Sequence, residues 1–355
     1  MQQVELSILV ISHNQEKEIA RCLDSIMAQK LRVPYEVIVS DDASKDRTLE
    51  IVNEYVKKYP EIIRVVHIDS NQCGVTIGSE RSGVNKINAY RAARGAFFVY
   101  MDGDDYLTCD TVYQEQLDLL KQHPECSMCR QEMMRCDNEH PEKGTWKWGE
   151  NFETGHIITS KEYFEKDYYL SNPAFLMRRY DDFPPEDPLF QKQCYDEFIT
   201  FWHLQKGDIV CLKRADYMYV AYAKSLDNSY DLQNNKLAKY ATSVLLYMHY
   251  FPMFSMLSYR EYEGRIIHFL KEVTNRDLVL DEEMMGYLGQ FDGFIFRYLV
   301  ADKRSLWQIV KLRYIRYVAL MMRVCGWTND KMIYYLYRML TSKAWYKQLK
   351  SKERL

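Results

Sequence analysis

Short apolar runs alternate with segments of helical spacing over residues 5–122. Runs rich in Val, Ile and Leu are typical of buried strands, and apolar residues three and four positions apart predict amphipathic helices. This pattern predicts strands at Leu6–Ile11, Tyr35–Val39, Ile62–Ile68 and Ala96–Met101, and helices over residues 19–29, 49–56 and 84–94. Because strands that alternate with helices form βαβ units, we expect a mostly parallel, Rossmann-like α/β sheet flanked by helices.

The alternation becomes less regular beyond residue 122. Further strands are predicted at 127–135, 175–177, 209–212 and 217–221, and further helices at 160–170 and 195–206. From about residue 232 the pattern is almost entirely helical. We therefore expect two domains, an α/β domain over residues 1–228 and a helical C-terminal domain over residues 229–355.

The composition predicts a folded protein with a large core, since 47% of the 355 residues are apolar and 27% are charged. Residues 1–5 show neither the basic start nor the apolar stretch of a secretory signal. No run reaches the roughly 18 uncharged apolar residues that a membrane-spanning helix needs. The nine cysteines have no regular spacing, so we expect free thiols in a cytoplasmic setting.

The charge is unevenly distributed along the chain. Residues 301–355 hold 13 Lys and Arg against 3 Asp and Glu, whereas the other 300 residues hold 34 against 47. Tryptophans and tyrosines lie between the basic residues of this tail, a mixture that suits the surface of an anionic membrane. The tail is therefore predicted to rest on the inner membrane face. A solvated basic helical face is the alternative, and nucleic acid is not an expected partner.

Three predicted strands end in polar or acidic turns, at Ser12–Asn14, Asp41–Asp42 and Asp102–Asp105. In an open α/β sheet, ligands bind beyond the carboxyl ends of the strands. Carboxylates gathered there repel one another, and a divalent cation such as Mg²⁺ or Mn²⁺ offsets that repulsion while it binds a diphosphate. The alternative is that these acidic turns only cap the helices that follow them.

Several common nucleotide or acyl chemistries lack their motifs. The first predicted strand is followed by neither a Walker A loop nor a Gly-x-Gly-x-x-Gly turn. No Gly-x-Ser-x-Gly elbow occurs in the chain. These absences disfavour a P-loop nucleotidase, a dinucleotide dehydrogenase and an α/β-hydrolase.

An ordered set of segments resembles the family 2 glycosyltransferases of the GT-A fold. The segments are Ile8–Asn14, Leu23–Ile26 with Gln29, Glu36–Thr48 and Gly95–Asp105. The resemblance covers about residues 4–110 and continues more weakly to about 225. It implies a nucleotide-sugar donor, most often a UDP-sugar, a Mn²⁺ or Mg²⁺ ion, and inversion at the anomeric carbon. A glycan or a lipid-linked acceptor is expected.

The resemblance also implies roles for individual residues. Asp42 is expected to bind uracil, and His13 is expected to line the base pocket. Asp102 is expected to contact the ribose or the diphosphate. Asp104 is expected to be the direct ligand of the metal ion, and Asp102 is expected to belong to the same metal site. Two basic residues are expected near the diphosphate, Arg81 and Lys86.

In the family, the catalytic base is an Asp after another acidic residue, about eleven residues before a helix-ending glycine. Asp196 precedes Gly207 by eleven residues, so it is the predicted base, and Glu197 is the competing candidate. The chain departs from the family where a Tyr-Arg-x-His segment is common, because Tyr219–Tyr222 holds neither Arg nor His. Trp202 and His203 replace a second common Arg, and we interpret His203 as structural.

Two other functions and one other metal site stay open at this point. A nucleotidyltransferase shares the sheet architecture but usually starts with a Gly-rich, Arg-containing loop, which is absent after the first strand. A non-catalytic binding module is compatible with the missing Arg and His. Cys126, Cys129, Cys136 and His140 have a permissible zinc spacing, although buried thiols are the favoured interpretation.

Overall fold

A computed structural model describes residues 3–73, 78–138, 144–148, 151–166, 174–184, 186 and 196–222. The helices are α1 (Ile19–Met27), α2 (Thr48–Lys58), α3 (Gly78–Ala92), α4 (Val112–Gln122), α5 (Ser160–Lys166) and α6 (Asp196–Leu204). The strands are β1 (Leu6–Ser12), β2 (Tyr35–Asp42), β3 (Ile63–Ile68), β4 (Phe97–Asp102), β5 (Tyr106–Leu107), β6 (Cys126–Arg130), β7 (Met133–Asp137), β8 (Thr145–Trp148), β9 (Ile157–Ile158), β10 (Phe175–Arg178), β11 (Asp208–Cys211) and β12 (Tyr217–Ala221).

The larger sheet has eight strands in the order β3-β2-β1-β4-β10-β6-β11-β9. Its first four strands are parallel, and they are the four strands predicted from the apolar runs. Strand β1 is buried along its whole length, because strands β2 and β4 pair with it on either side and helices cover its faces. From β1 the chain proceeds to β2 and β3 on one side of the sheet, whereas β4 lies on the other side of β1. Open α/β sheets bind their ligands at such a change of direction.

The register of these strands brings the acidic turns to one sheet edge. Ser12 pairs with Asp41, and Ile11 pairs with both Ser40 and Asp102. Strand β2 extends beyond the predicted end at Val39, because Asp41 and Asp42 pair with His67 and Ile68 of β3. The carboxylates predicted to follow β2 therefore belong to the strand itself.

The region beyond α4 departs from a purely parallel arrangement. Strand β10 lies antiparallel between β4 and β6, and β9 is antiparallel to β11. The single strand predicted at 127–135 is two strands, because the chain changes sheets at Gln131 and Glu132. The amide of Gln131 donates to Ala174 O (3.1 Å), whereas that of Glu132 donates to Arg214 O (2.7 Å).

The second sheet has four strands in the order β5-β12-β7-β8. It joins the turn after β4 to the last described strand, since β12 pairs with β5 and with β7. The helical domain predicted for residues 229–355 lies outside the described residues and stays a prediction. No helix in the described part of the chain is long and apolar enough to cross a membrane.

Candidate active site

Asp42 is buried at the carboxyl end of β2, and hydrogen bonds satisfy both of its carboxylate oxygens. Its side chain accepts from the amide (2.9 Å) and hydroxyl (2.7 Å) of Ser70. Arg81 on α3 lies beside it, with Nη2 3.0 Å and Nε 3.1 Å from Oδ2. The structure thus brings together Asp42 and Arg81, two residues predicted to bind the nucleotide. Ser70 is hydrogen-bonded to both residues. It was not predicted as a site residue, because it follows β3 in a segment without a recognisable motif.

His13 lies beside Asp42 in the loop after β1. Its Nδ1 is 2.6 Å from Asp42 O and its Nε2 is 3.0 Å from Asn14 Nδ2. Since a carbonyl only accepts and an amide nitrogen only donates, the neutral ring fits with its proton on Nδ1. These two hydrogen bonds fix the plane of the imidazole beside Asp42.

The loops after β1 and β2 are hydrogen-bonded to each other. The amide of Asn14 donates to Ser44 Oγ (2.9 Å), and that of Lys45 donates to Asn14 Oδ1 (2.8 Å). Asn14 and Ala43 have positive φ values of 52° and 48°. Such conformations are uncommon outside glycine and persist where the surroundings enforce them. The rim of the pocket is therefore held in one shape by mutual contacts.

The turn after β4 places three carboxylates within four residues, from Asp102 to Asp105. Burial, and then the charge of Asp102, raises the pKa of Asp104 to about 7. Asp105 is fully buried, where it accepts from Tyr217 Oη (2.7 Å) and from the amide of Val220 (2.9 Å). Burial also raises the pKa of Asp105. Asp104 is thus a carboxylate whose charge a cation would stabilise, and Asp105 anchors the turn to β12.

The donor set of this turn fits a hard divalent cation held partly by a ligand. Oxygen ligands suit Mg²⁺ and Mn²⁺, and a cation would remove the repulsion that raises the Asp104 pKa. Among the residues that the structure describes, no group of three His, Cys, Asp or Glu could hold a metal. Asp102 and Asp104 would therefore need oxygens from a diphosphate or water to complete the coordination.

Two side chains beside Asp104 were not predicted as functional. Arg21 on α1 donates to Asp104 O (3.0 Å), and its guanidinium lies 4.4 Å from the centre of the Tyr106 ring. Tyr222 follows β12 at the position where the family often has a His. Burial, then the charges of Glu18 and Asp104, raises its pKa to about 12. The guanidinium of Arg21 and the phenol of Tyr222 therefore lie where the family often has a His. Of the two residues, only Tyr222 could have been found from the sequence, because it replaces that His.

The predicted base and one predicted diphosphate ligand form an ion pair. Lys86 Nζ donates to Asp196 Oδ1, and the Lys86 side chain is 7% exposed. Asn85, the preceding residue on α3, fixes this segment by donating to Ser40 O (3.0 Å) and Ser12 O (3.3 Å). Asp196 is the first residue of α6. The side chain of Glu197, the competing base, lies outside what the structure describes.

His203 lies in the core and not in the site. Its ring is fully buried among Phe98, Tyr180 and Phe183, and its Nδ1 is 2.7 Å from Ile199 O. Burial lowers its pKa to about 4. These surroundings agree with the interpretation of His203 as structural.

The thiols of the alternative zinc site lie in different surroundings. Cys126 and Cys129 are buried in β6, and burial raises the pKa of Cys126 to about 12. Cys136 lies on β7 in the other sheet, where its Sγ donates to Tyr219 O (3.7 Å). His140 lies outside the described residues. The two described β6 thiols are thus core side chains, as the favoured interpretation expected.

A mostly parallel α/β sheet with an Asp-x-Asp turn at its carboxyl edge agrees with the GT-A fold that the sequence resemblance implied. Residues 7–182 match the model described as glycosyl transferase family 2, and this part of the chain belongs to that family. The resemblance found in the sequence is confirmed. Membership of this family favours a glycosyltransferase over a nucleotidyltransferase.

Similar sequences include a bacterial glucosyltransferase and an uncharacterized bacterial protein. The chain is 32% identical over 105 residues to a poly(ribitol-phosphate) beta-glucosyltransferase of Bacillus spizizenii, covering 29% of this chain and 15% of that one. It is 38% identical over 124 residues to an uncharacterized protein of Mycobacterium tuberculosis, covering 35% and 34%. The matched segments thus span about a third or less of these relatives.

A solved structure with the same fold is a fragment of Staphylococcus aureus TarS in complex with UDP-GlcNAc. Its TM-score is 0.60 at 19% identity, and the match covers 96% of this chain and 93% of that one. TarS itself is a poly(ribitol-phosphate) beta-N-acetylglucosaminyltransferase, 32% identical to this chain over 110 residues that cover 31% and 18% of the two. The predicted GT-A fold is therefore confirmed.

Proposed function

We propose that the protein transfers a sugar from a UDP-sugar to an acceptor hydroxyl with inversion, and that Asp196 is the general base. One observation carries the proposal: α3 places Arg81 against Asp42 and Lys86 against Asp196. A single helix thereby contacts both the predicted nucleotide pocket and the predicted base. Strand β4 of the same sheet ends at Asp102, and Asp104 follows in the turn.

The proposed reaction is a single displacement at the anomeric carbon. The acceptor oxygen forms a bond to C1 while the bond from C1 to the diphosphate oxygen breaks. The nucleoside diphosphate leaves with the bonding electrons, and Asp196 takes the proton of the acceptor hydroxyl. Arg81 and Lys86 supply positive charge where the leaving diphosphate becomes more negative.

Asp102 and Asp104 would hold a Mn²⁺ or Mg²⁺ ion together with the diphosphate. When bound, such an ion stabilises negative charge on phosphate oxygens. The chain's own contribution is to keep the turn in place, through the contacts of Asp105 with Tyr217 and Val220. Arg21 adds a cation beside Asp104.

The acceptor is proposed to be a glycan or a lipid-linked polymer of the bacterial cell envelope. The names of two relatives support this class, because both act on poly(ribitol phosphate). The UDP donor is supported by the TarS neighbour, whose structure holds UDP-GlcNAc. The cytoplasmic setting, and the membrane contact of residues 301–355, stay predictions.

A panel of nucleotide sugars, measured by thermal unfolding with and without Mn²⁺, tests the donor. We expect UDP-sugars to raise the melting temperature and Mn²⁺ to increase the effect, because a ligand of the native state stabilises it by mass action. Stabilisation by another nucleotide alone would contradict the UDP donor.

Asp196→Asn tests the base with the donor that stabilises the protein. We expect kcat for transfer to fall by about 10²–10⁴, the usual contribution of a general base, with the fold unchanged. Asp182→Asn is the matched control, because Asp182 also forms an ion pair with a lysine, Lys206, but lies outside the proposed site. A larger loss in Glu197→Gln than in Asp196→Asn would assign the base to Glu197.

A further inference from the structure

The ammonium of Lys86 is a buried cation whose counter-ion is the predicted base. Lys86 is 5% exposed as a residue, whereas the side chain of its partner Asp196 is 35% exposed. A buried ammonium needs an anion close by, since removing it from water is costly. Asp196 is one group that meets this need, through Oδ1. The base therefore has one carboxylate oxygen occupied.

The backbone of Lys86 is held at the sheet edge, so the ammonium moves only by rotation of its side chain. Asn85 binds the carbonyls of Ser12 and Ser40, and Tyr100 Oη donates to Lys86 O (3.2 Å). A lysine stem has four carbons with freely rotating bonds, so its ammonium exchanges one anion for another without movement of the helix. Asp42 and Arg81 mark the nucleotide end of the same helix.

We propose that Lys86 is a donor-controlled switch of the base, an inference that rests on the proposed function. Without a donor, Lys86 holds Asp196. When a nucleoside diphosphate binds, its phosphate oxygens replace the carboxylate as the counter-ion of Lys86. Asp196 is then released to accept the proton of the acceptor hydroxyl. The exchange makes the base available only after the donor is in place, and so predicts donor binding before acceptor activation.

The exchange of Asp196 for the diphosphate can be detected from binding affinities alone, without measuring catalysis. Asp196 and the diphosphate compete for one ammonium, so removing the carboxylate charge strengthens diphosphate binding. A lysine that merely bridges both anions at once predicts the opposite, because loss of Asp196 removes a contact that orients it. The sign of the change in UDP affinity therefore separates the two arrangements.

A double-mutant cycle measures this sign, with UDP and Mn²⁺ as the probe and isothermal titration calorimetry as the readout. We expect Asp196→Asn to bind UDP about 3- to 5-fold more tightly than the wild type, a change in the range of a partly exposed ion pair. Lys86→Met is expected to weaken binding. Adding Asp196→Asn to Lys86→Met is expected to change the affinity less than about twofold, because the competition is gone.

The cycle distinguishes the exchange from general repulsion between Asp196 and the diphosphate. Equal tightening in both backgrounds, or weaker binding by Asp196→Asn alone, overturns the exchange while the proposed function stands. Failure of all proteins to bind UDP overturns the proposed donor and the exchange together. Lys86→Gln replaces Lys86→Met if thermal unfolding shows that the methionine variant is not folded. Asp182→Asn, which frees Lys206 from its ion pair, is expected to leave the affinity unchanged.

Discussion

At the scale of single residues, the carboxylates of the site differ in how their charge is balanced. Asp42 is satisfied by Ser70 and Arg81, and Asp105 by Tyr217 and Val220. Asp104 receives no comparable compensation, and its pKa is raised to about 7 by burial and by Asp102. Because a carboxylate left in this condition destabilises the fold, Asp104 is where a divalent cation has the most to contribute.

Asp104→Asn is expected to stabilise the metal-free protein, and more so at pH 8 than at pH 5. The folded pKa of about 7 lies above the unfolded value of about 3.9, so the native state binds the extra proton. The stability that this proton supplies is present below the unfolded pKa and is lost as the pH rises through about 7. The neutral amide avoids that loss.

The measurement is the free energy of urea unfolding in buffers that contain EDTA. We expect the gain from Asp104→Asn to be about 1–3 kcal/mol larger at pH 8 than at pH 5. Asp182→Asn, at an exposed carboxylate, is expected to show no such difference. The variant should also lose stabilisation by Mn²⁺ with UDP. A gain that does not depend on pH would contradict the assignment.

At the scale of elements, the local sequence pattern predicted the strands that are buried on both faces. It did not predict which strands pair with each other. The apolar runs at Leu6–Ile11 and Tyr35–Val39 identified β1 and β2, since both are buried on two faces. Strand β10 was predicted at 175–177, but its antiparallel pairing was not, and neither was the division of residues 127–135 into β6 and β7. The partners of those strands are set by contacts distant in sequence.

The same distinction holds for the candidate site. Motif spacing placed Asp42 and Asp102 at one sheet edge, because the carboxyl ends of parallel strands meet there. Lys86 and Asp196 are 110 positions apart, and the sequence around either residue does not predict their contact. Ser70 and Arg21 were missed because their roles come from position alone, with no repeated spacing to mark them.

Tyr217→Phe tests whether the second sheet supports the turn after β4. Removal of the hydroxyl leaves the buried carboxylate of Asp105 with one donor fewer, and we expect a loss of about 1–3 kcal/mol in the free energy of unfolding. Affinity for Mn²⁺ in the presence of UDP should fall as well, because the turn carries Asp104. Urea unfolding and calorimetry measure the two effects.

The control for this experiment is Tyr59→Phe at the end of α2, which lies away from the turn. Tyr59 packs against the core, and Phe keeps the ring that makes this contact, so we expect a change within about 0.5 kcal/mol there. If Tyr217→Phe lowers stability and leaves the Mn²⁺ affinity as it was, β12 supports the fold and not the metal turn.

At the scale of the whole molecule, the charges separate into an acidic catalytic portion and a basic tail. Residues 1–300 hold 13 more acidic than basic side chains, whereas residues 301–355 hold 10 more basic than acidic ones. A polymer acceptor anchored in a membrane would reach the enzyme at an anionic surface. The basic tail, rich in Trp and Tyr, has the composition that attracts a protein to such a surface.

Flotation with lipid vesicles tests the tail in the full-length chain. We expect binding to vesicles that contain phosphatidylglycerol, none to pure phosphatidylcholine vesicles, and release as the salt rises, since screening weakens the attraction. Replacing Lys343, Lys347, Lys350 and Lys352 by Gln should reduce binding more than tenfold, at about 1 kcal/mol for each basic residue. A variant with Lys17, Lys57, Lys58 and Lys161 replaced by Gln has the same net charge and should bind like the wild type. Equal losses in both variants would show that net charge, and not the tail, governs the interaction.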